Sequence, residues 1–149
     1  MNHSRVHQGG FTLLELMVVI AIISILAAIT APTFTRQITK AKLVEAQNIA
    51  TQSQSFIEEY ILLNGGFPSS TEFAEISPIV ASDSIVKSIA VSDQEASSGS
   101  VTVSLNSDTG ISEGNYLKYH RDANNNWQCE SDLASKLLPQ QCTTVEEAQ

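Results

Sequence analysis

Residues 10–31 have the sequence GFTLLELMVVIAIISILAAITA, and this stretch decides how the chain is organised. From Phe11 to Ala31 it has 21 residues and a single charge, on Glu15, and after Glu15 only two hydroxyl side chains interrupt the apolar run. A helix of this length would extend for about 31 Å, which is enough to cross the hydrocarbon core of a bilayer. The stretch therefore predicts one membrane-spanning helix.

The residues before this stretch do not fit an ordinary secretory signal peptide. Residues 1–10, MNHSRVHQGG, contain one basic residue, Arg5, and end in two glycines. A signal peptide is expected to have a small-residue cleavage site just after its apolar core. Here residues 32–36, PTFTR, follow the apolar core and fit such a site poorly. Cleavage at the glycine pair would leave the apolar segment in the mature protein.

The run from Gly10 to Leu16, followed by apolar residues, closely resembles the N-terminus of type IV pilins. In that family a prepilin peptidase cleaves after the glycine, and the new N-terminal residue is N-methylated. The resemblance implies that the scissile bond is Gly10–Phe11 and that Phe11 becomes N-methylphenylalanine. It also implies three parts, which are a cleaved leader over 1–10, a transmembrane and assembly helix over 11–32, and a globular head over 33–149.

Glu15 is the one charge in the apolar segment. A carboxylate inside a membrane costs roughly 2.5–3.5 kcal/mol on insertion scales, so it requires a partner or water. The family resemblance implies that its partner in the fibre is the Phe11 amine of a neighbouring subunit. Such a pair would set the register of assembly more than it would add stability. The alternative is that Glu15 lies near the helix end and is hydrated at the membrane interface.

The helical pattern continues beyond the apolar segment. Pro32 removes a backbone hydrogen bond and therefore predicts either a kink or the end of the helix at Ala31. Residues 64–66, NGG, are a helix stop signal. We favour a kinked helix from about Phe11 to Leu63, roughly 80 Å long, because apolar residues resume at helical spacing after the proline: Leu43, Ala46, Ala50, Ile57, Tyr60 and Ile61.

In the rest of the chain, apolar and polar residues alternate with a period of two. Turn chemistry separates the alternating segments at residues 93–99 and 106–115, and residues 66–84 are interpreted as a long connection. The predicted fold class is α+β, with the amphipathic half of the helix packed on an antiparallel β-meander of three to four strands. The expected strands are 85–91, 100–105, 116–120 and a short piece around Trp127.

Two cysteines, Cys129 and Cys142, lie near the C-terminus. An even count in a chain that is expected to be exported predicts a disulfide rather than two free buried thiols. The sequence from Trp127 to Cys142 also resembles the disulfide-closed loop near the C-terminus of type IVa pilins. On the chain-entropy argument, closing this loop would stabilise the fold by about 3 kcal/mol.

The distribution of basic residues conflicts with the orientation that the resemblance implies. Arg5 precedes the span, whereas Arg36, Lys40 and Lys42 follow it. By the positive-inside rule, the C-terminal side would then be cytoplasmic. The expected disulfide and the large acidic domain favour the opposite orientation, with the head outside. Charge bias alone leaves the orientation open.

The composition disfavours several other classes of function. The net charge is −8, with 16 acidic and 8 basic residues, and such a field repels a phosphate backbone. The sequence contains no phosphate-binding loop, nucleophile elbow or redox cysteine pair. We therefore predict no catalytic residue, no metal site and no cofactor, and we interpret Glu58 and Glu59 as a solvated helix face.

The predicted function is structural, as a subunit of a type IV pilus fibre that serves motility, adhesion or DNA uptake. The resemblance implies identical or related pilin subunits as partners, together with the prepilin peptidase and N-methyltransferase, the pilus assembly machinery, and the inner membrane before assembly in an extracellular fibre. The alternatives are a type II secretion pseudopilin, a minor pilin acting as a DNA receptor, and a single-span periplasmic binding module that never polymerises.

Overall fold

The computed structural model of the protein describes residues 10–145, except for the side chains of Pro32 and Thr33. It consists of two compact units, which meet in the sequence between Thr35 and Arg36. One helix, α1, covers Leu13–Asn64 and contributes to both units. The prediction of a single long helix is confirmed, and α1 does not end at Ala31. The kink at Pro32 stays a prediction.

The predicted end of α1 is confirmed at the Asn64-Gly65 pair. Gly65 has φ of +83°, a left-handed conformation that glycine adopts without a steric penalty. Its amide donates to the Ile61 carbonyl at 2.8 Å, and the Asn64 side-chain amide donates to the Tyr60 carbonyl at 3.0 Å. These bonds satisfy carbonyls of the last turn that have no partner within the helix.

The connection predicted for residues 66–84 contains a short helix, α2, over Ser70–Ile76. Ser69 caps it, because the Ser69 hydroxyl accepts from the Glu72 amide and the Glu72 carboxylate accepts from the Ser69 amide at 2.8 Å. This reciprocal pair is a capping box. The helix buries Phe73 in the core, so the segment is anchored to the head.

The sheet has five strands in the order β1-β2-β3-β4-β5. Strands β1 to β4 form the predicted antiparallel meander, and the expected turn at 106–115 joins β2 to β3. Three to four strands were expected, and the structure has a fifth. This strand, β5, pairs with β4 in parallel and aligns Cys142 with Cys129. The strand bounds are β1 Val86–Glu95, β2 Ser98–Leu105, β3 Tyr116–Arg121, β4 Trp127–Ser131 and β5 Cys142–Thr144.

The first hairpin is tighter than its turn residues predicted. Residues 93–99 were expected to form the turn, but β1 continues to Glu95 and β2 begins at Ser98. The pairing register shifts between Ser92 and Glu95, and Asp93 has φ of +54°. An irregularity of this kind bends a strand without ending it. The polar residues therefore mark a β-bulge in addition to the turn.

The core lies between the head half of α1 and the inner face of the sheet. The buried stripe of α1 confirms four of the predicted apolar positions, whereas Tyr60 and Ile61 are only partly buried. It also includes Thr39 and Ser53, and the Ser53 hydroxyl donates to the Ile49 carbonyl at 2.9 Å. The sheet residues buried with it include Val91, Val101, Val103, Leu105, Leu117 and Tyr119.

Candidate assembly site

The apolar segment, defined as residues 11–31, has no buried face within the described structure. From Leu13 onward it is helical, and its large apolar side chains are between 48% and 81% exposed. An 18-residue window of α1 has a mean hydropathy of 2.7, so length and composition make this helix a candidate membrane span. A continuous apolar surface of this extent indicates contact with lipid or with another protein.

Glu15 is positioned by a second capping box at the start of α1. The Thr12 amide and hydroxyl donate to Glu15 Oε2 at 2.8 and 3.1 Å, and the Glu15 amide donates to the Thr12 hydroxyl at 3.2 Å. The carboxylate is therefore directed toward the N-terminal end of the helix, four residues after Phe11. The role of Thr12 was not predicted, although the sequence has the Thr-x-x-Glu pattern of a capping box there.

The predicted processing site lies immediately before α1. Gly10 and Phe11 are both exposed, and Phe11 is 83% accessible. A Cβ added to Gly10 would meet no heavy atom within 4 Å. The Gly10–Phe11 bond is therefore open to approach on the side that the structure describes. The remainder of the predicted leader, residues 1–9, lies outside the described residues.

The two hydroxyl side chains that follow Glu15 in the apolar segment bond to their own helix. The Ser24 hydroxyl donates to the Ile20 carbonyl at 2.7 Å, and the Thr30 hydroxyl donates to the Leu26 carbonyl at 3.2 Å. Such bonds satisfy a polar group in an apolar environment without a partner from outside. The apolar segment thus presents Glu15 as its one charged group.

The predicted disulfide is present in the head. Cys129 on β4 and Cys142 on β5 are bonded, with their Cα atoms 4.4 Å apart and each residue 7% exposed. The loop that they close inserts Leu133 and Leu137 into the core. The covalent bond and these two side chains fix the C-terminal loop to the sheet, and this explains how the three-residue strand β5 can form.

Glu58 is a partly buried ion-pair partner, and its interpretation as part of a solvated face was wrong. Its two carboxylate oxygens accept from Arg121 Nε at 2.7 Å and Nη2 at 2.9 Å, and Oε1 also accepts from Trp127 Nε1 at 2.8 Å. The Arg121 guanidinium holds the pKa of the Glu58 carboxyl below its ordinary value. Glu58 therefore ties α1 to β3 and β4.

Arg121 also bonds to the turn between β1 and β2 and to the turn between β3 and β4. It is 3% exposed, and it donates to the Ser97 carbonyl at 2.6 Å and to the Asn125 side-chain carbonyl at 2.7 Å. The five-donor guanidinium suits such a crossing point, since its planar fork reaches several acceptors at once. Arg121 and Glu58 are 63 positions apart, and no local pattern connects residues at that separation.

Comparison with known proteins identifies the family. A sequence profile for pilin, described as a bacterial filament protein, matches residues 39–143, and a profile for the prokaryotic N-terminal methylation motif matches residues 5–31. Fimbrial protein EcpC of Eikenella corrodens is 36% identical over 141 residues, which cover 91% of this chain and 90% of that protein. The chain belongs to the type IV pilin family.

Two further relatives show how much of the chain resembles other type IV pilins. Type IV major pilin protein PilE of Neisseria gonorrhoeae is 39% identical over 100 residues, which cover 67% of this chain and 58% of PilE. Type IV major fimbrial protein FimA of Dichelobacter nodosus is 28% identical over 151 residues, covering 91% of this chain and 94% of FimA. The resemblance therefore extends to major subunits as well as to the N-terminal motif.

The fold has a counterpart among solved structures. The crystal structure of a CS1 pilin chimera aligns with a TM-score of 0.53 at 16% identity, covering 73% of this chain and 99% of that one. At this identity the alignment shows a shared fold. Together, the family profiles and the relatives identify the pilin as a structural pilus subunit that assembles with related pilins.

Proposed function

We propose that this pilin is cleaved at Gly10–Phe11, N-methylated at Phe11, and held in the inner membrane as a single span over residues 11–32 with its head, 33–149, outside the cytoplasm. From there it enters an extracellular fibre. The observation that carries this proposal is the exposure of the apolar segment, whose window of highest hydropathy has 0% of its residues buried. The prepilin peptidase and the assembly machinery are the partners that these steps require.

Burial of the apolar segment supplies the driving force for membrane insertion, and packing between helices holds the segment in the fibre. Twelve large apolar side chains are exposed between Leu13 and Ile29, and burying each one contributes about 1.5–3 kcal/mol. Lipid covers this surface before assembly, and the helices of neighbouring subunits cover it in the fibre. Head-to-tail contacts of this kind propagate without closing, so they generate a filament.

Glu15 provides the charge that sets the register between subunits. The Thr12 bonds occupy Oε2, which leaves Oε1 to accept from the Phe11 amine of a neighbour. That amine becomes available only after the leader is removed, so processing and assembly are linked through one ion pair. The pair would neutralise two charges in an apolar environment, where an unpaired charge is costly.

The role is structural, and the pilin has no catalytic activity of its own in this proposal. Motility, surface adhesion and DNA uptake are the activities that the fibre serves. The disulfide loop between Cys129 and Cys142 supports a fibre-forming pilin over a type II secretion pseudopilin. The acidic net charge of −8 disfavours the alternative of a DNA receptor.

Fibres purified from a wild-type strain test the proposal directly. Electron microscopy should show fibres that are lost when the gene is deleted and return on complementation. Mass spectrometry of the fibre subunit should give a chain that begins with N-methylated Phe11. A fibre subunit that begins well downstream of Pro32 would contradict the proposal, because it would lack the apolar segment.

Two variants separate processing from assembly. Gly10→Val should leave an uncleaved precursor in the membrane, since the peptidase requires the small residue. Glu15→Val should be cleaved and inserted but should form few or no fibres. Glu59→Val, an exposed glutamate in the head half of α1, is the control and should leave fibre number unchanged. Normal fibres from Glu15→Val would contradict the pairing with the Phe11 amine.

A further inference from the structure

The basic side chains of the head differ in whether they have a counter-charge. Seven of the eight Lys and Arg residues lie in the part of the chain that the structure describes. Three of these form no ion pair among the described residues, namely Arg36, Lys40 and Lys136. The other four are paired, as Lys42 with Asp108, Lys87 with Glu113, Lys118 with Asp93 and Glu130, and Arg121 with Glu58.

Two of the three unpaired cations are neighbours on α1. Arg36 and Lys40 are four residues apart on the helix, so they lie on one face, and both are exposed. They are also the first charges that follow the apolar segment. Between Glu15 and Glu45 the chain has no acidic residue. Arg36 and Lys40, called here the basic pair, therefore form a positive site next to the predicted membrane span.

The nearest charged groups of the head are already engaged. Lys42 is paired with Asp108, and the Glu45 carboxylate accepts from the Ser84 hydroxyl at 2.7 Å. The remainder of the head is strongly acidic, with twelve acidic and four basic residues from Pro68 to the C-terminus. An acidic head would be repelled by an anionic membrane surface. The basic pair would offset that repulsion at the end of the span that leads into the head.

We propose that the basic pair binds the phosphodiester headgroups of anionic phospholipids at the outer surface of the membrane while the subunit awaits assembly. This inference rests on the membrane-resident stage of the proposed function. Guanidinium and ammonium groups donate charge-assisted hydrogen bonds to phosphate oxygens. Their long apolar stems let the charged ends reach the headgroup layer from a helix that leaves the hydrocarbon core. Basic residues next to a span are attracted to anionic lipid in this way.

The test measures lipid selectivity around the full processed pilin. The protein is reconstituted in phosphatidylcholine vesicles that contain a minority of phosphatidylglycerol, and electron spin resonance compares spin-labelled phosphatidylglycerol with spin-labelled phosphatidylcholine at the protein boundary. The wild type should prefer phosphatidylglycerol at low salt and lose the preference at high salt. Arg36→Gln with Lys40→Gln should lower the preference by roughly 25-fold, since each of the two charges near the surface contributes about a fivefold factor.

Lys136→Gln is the matched control, because Lys136 is also exposed and unpaired but lies between β4 and β5. It should keep the wild-type lipid preference. An equal loss in this control, or an unchanged preference in the double variant, would overturn the inference. Fewer fibres from the double variant with unchanged lipid preference would assign the pair to carboxylates of a neighbouring subunit and would also overturn it.

Resistance to alkaline extraction, measured in the same vesicles, separates this inference from the proposed function. A wild-type pilin that is extracted is not inserted, and this result would contradict the membrane-resident stage and the inference with it. A pilin that resists extraction but shows no preference for phosphatidylglycerol would overturn the lipid-binding inference alone.

Discussion

The two halves of α1 share one helical backbone, but their side chains make different contacts. The apolar segment exposes every described large apolar side chain from Phe11 to Ile29, and its Ser24 and Thr30 hydroxyls bond to carbonyls of the same helix. The head half buries a stripe against the sheet, and its Thr39, Lys42, Glu45 and Glu58 side chains each bond to groups that lie far away in the sequence.

This difference separates the two sources of stability. The head half is stabilised by contacts within one chain, so its unfolding can be measured on the isolated subunit. Within residues 10–145 the apolar segment buries no side chain against the rest of the chain, so its free energy depends on lipid or on other subunits. Trp127 is the single tryptophan and lies in the head, so its fluorescence reports unfolding of the head alone. Unfolding of the head can therefore be followed by this signal in detergent micelles.

The largest difference between the halves is expected from isoleucine truncation. Ile57 is 0% exposed in the core, whereas Ile23 is 58% exposed in the apolar segment. Ile57→Ala should lower the free energy of unfolding by about 2–5 kcal/mol, because it removes buried methyl groups and leaves a cavity. Ile23→Ala, the matched control, should leave the Trp127 unfolding transition unchanged. Equal losses in the two variants would contradict the separation of the halves.

The disulfide provides the second comparison. Replacing both Cys129 and Cys142 by serine should destabilise the head by about 3 kcal/mol, because the unfolded chain gains the freedom of the opened loop. Resistance to alkaline extraction from vesicles should not change, since the apolar segment supplies the insertion energy. Urea denaturation followed by Trp127 fluorescence measures the first effect. A double serine variant as stable as the wild type would show that the core residues of the loop suffice to hold it.

Periodicity and composition predicted much of this fold from the sequence. The uncharged run, the stripe from Leu43 to Ile57, the alternation in β2 and the cysteine count each follow from a repeating or compositional pattern. The capping boxes at Thr12 and at Ser69 were also visible, as a hydroxyl residue three positions before a glutamate. Helix α2 was not predicted because the capping box at Ser69 was not recognised in the sequence.

The remaining features depend on contacts that no local pattern encodes. Strand β5 has three residues, which are too few to show alternation, and it depends on the disulfide partner thirteen positions away. The Glu58–Arg121 pair joins α1 to β3 across 63 positions. From sequence alone, an exposed glutamate and a partly buried one on the same helix have the same pattern, and only the tertiary fold distinguishes Glu58 from Glu59.

Glu58→Gln is expected to have the third-largest effect and tests this distinction. The variant leaves the buried Arg121 guanidinium without its counter-charge, which should cost about 2 kcal/mol after allowance for the partly exposed Glu58 side chain. Glu59→Gln should have almost no effect. Because the pKa of Glu58 is lowered from 4.5 by Arg121, its contribution is present above pH 4.5 and is lost as pH falls below it. Equal stability of the two variants at neutral pH would contradict the ion-pair role.

The smallest effect is expected at the capping box of α2, and it should be present at neutral pH and disappear in acid. The Ser69 hydroxyl, the Tyr60 hydroxyl and the Ser69 amide lower the pKa of Glu72 from 4.5 to about 2. A carboxylate with a depressed pKa stabilises the folded state above its unfolded pKa, and this contribution is lost as pH falls from about 4.5 to about 2. Glu72→Gln should therefore show a weaker dependence of unfolding free energy on pH in that window.

Glu75→Gln removes the same charge from the same helix and serves as the control for Glu72→Gln. Glu75 accepts no hydrogen bond from the residues that the structure describes, so its replacement should leave the acid dependence close to that of the wild type. Trp127 fluorescence in urea at a series of pH values measures all three proteins. If Glu75→Gln flattened the profile as much as Glu72→Gln did, the acid sensitivity would reflect the net charge of the head, and the capping box would have no specific part in it.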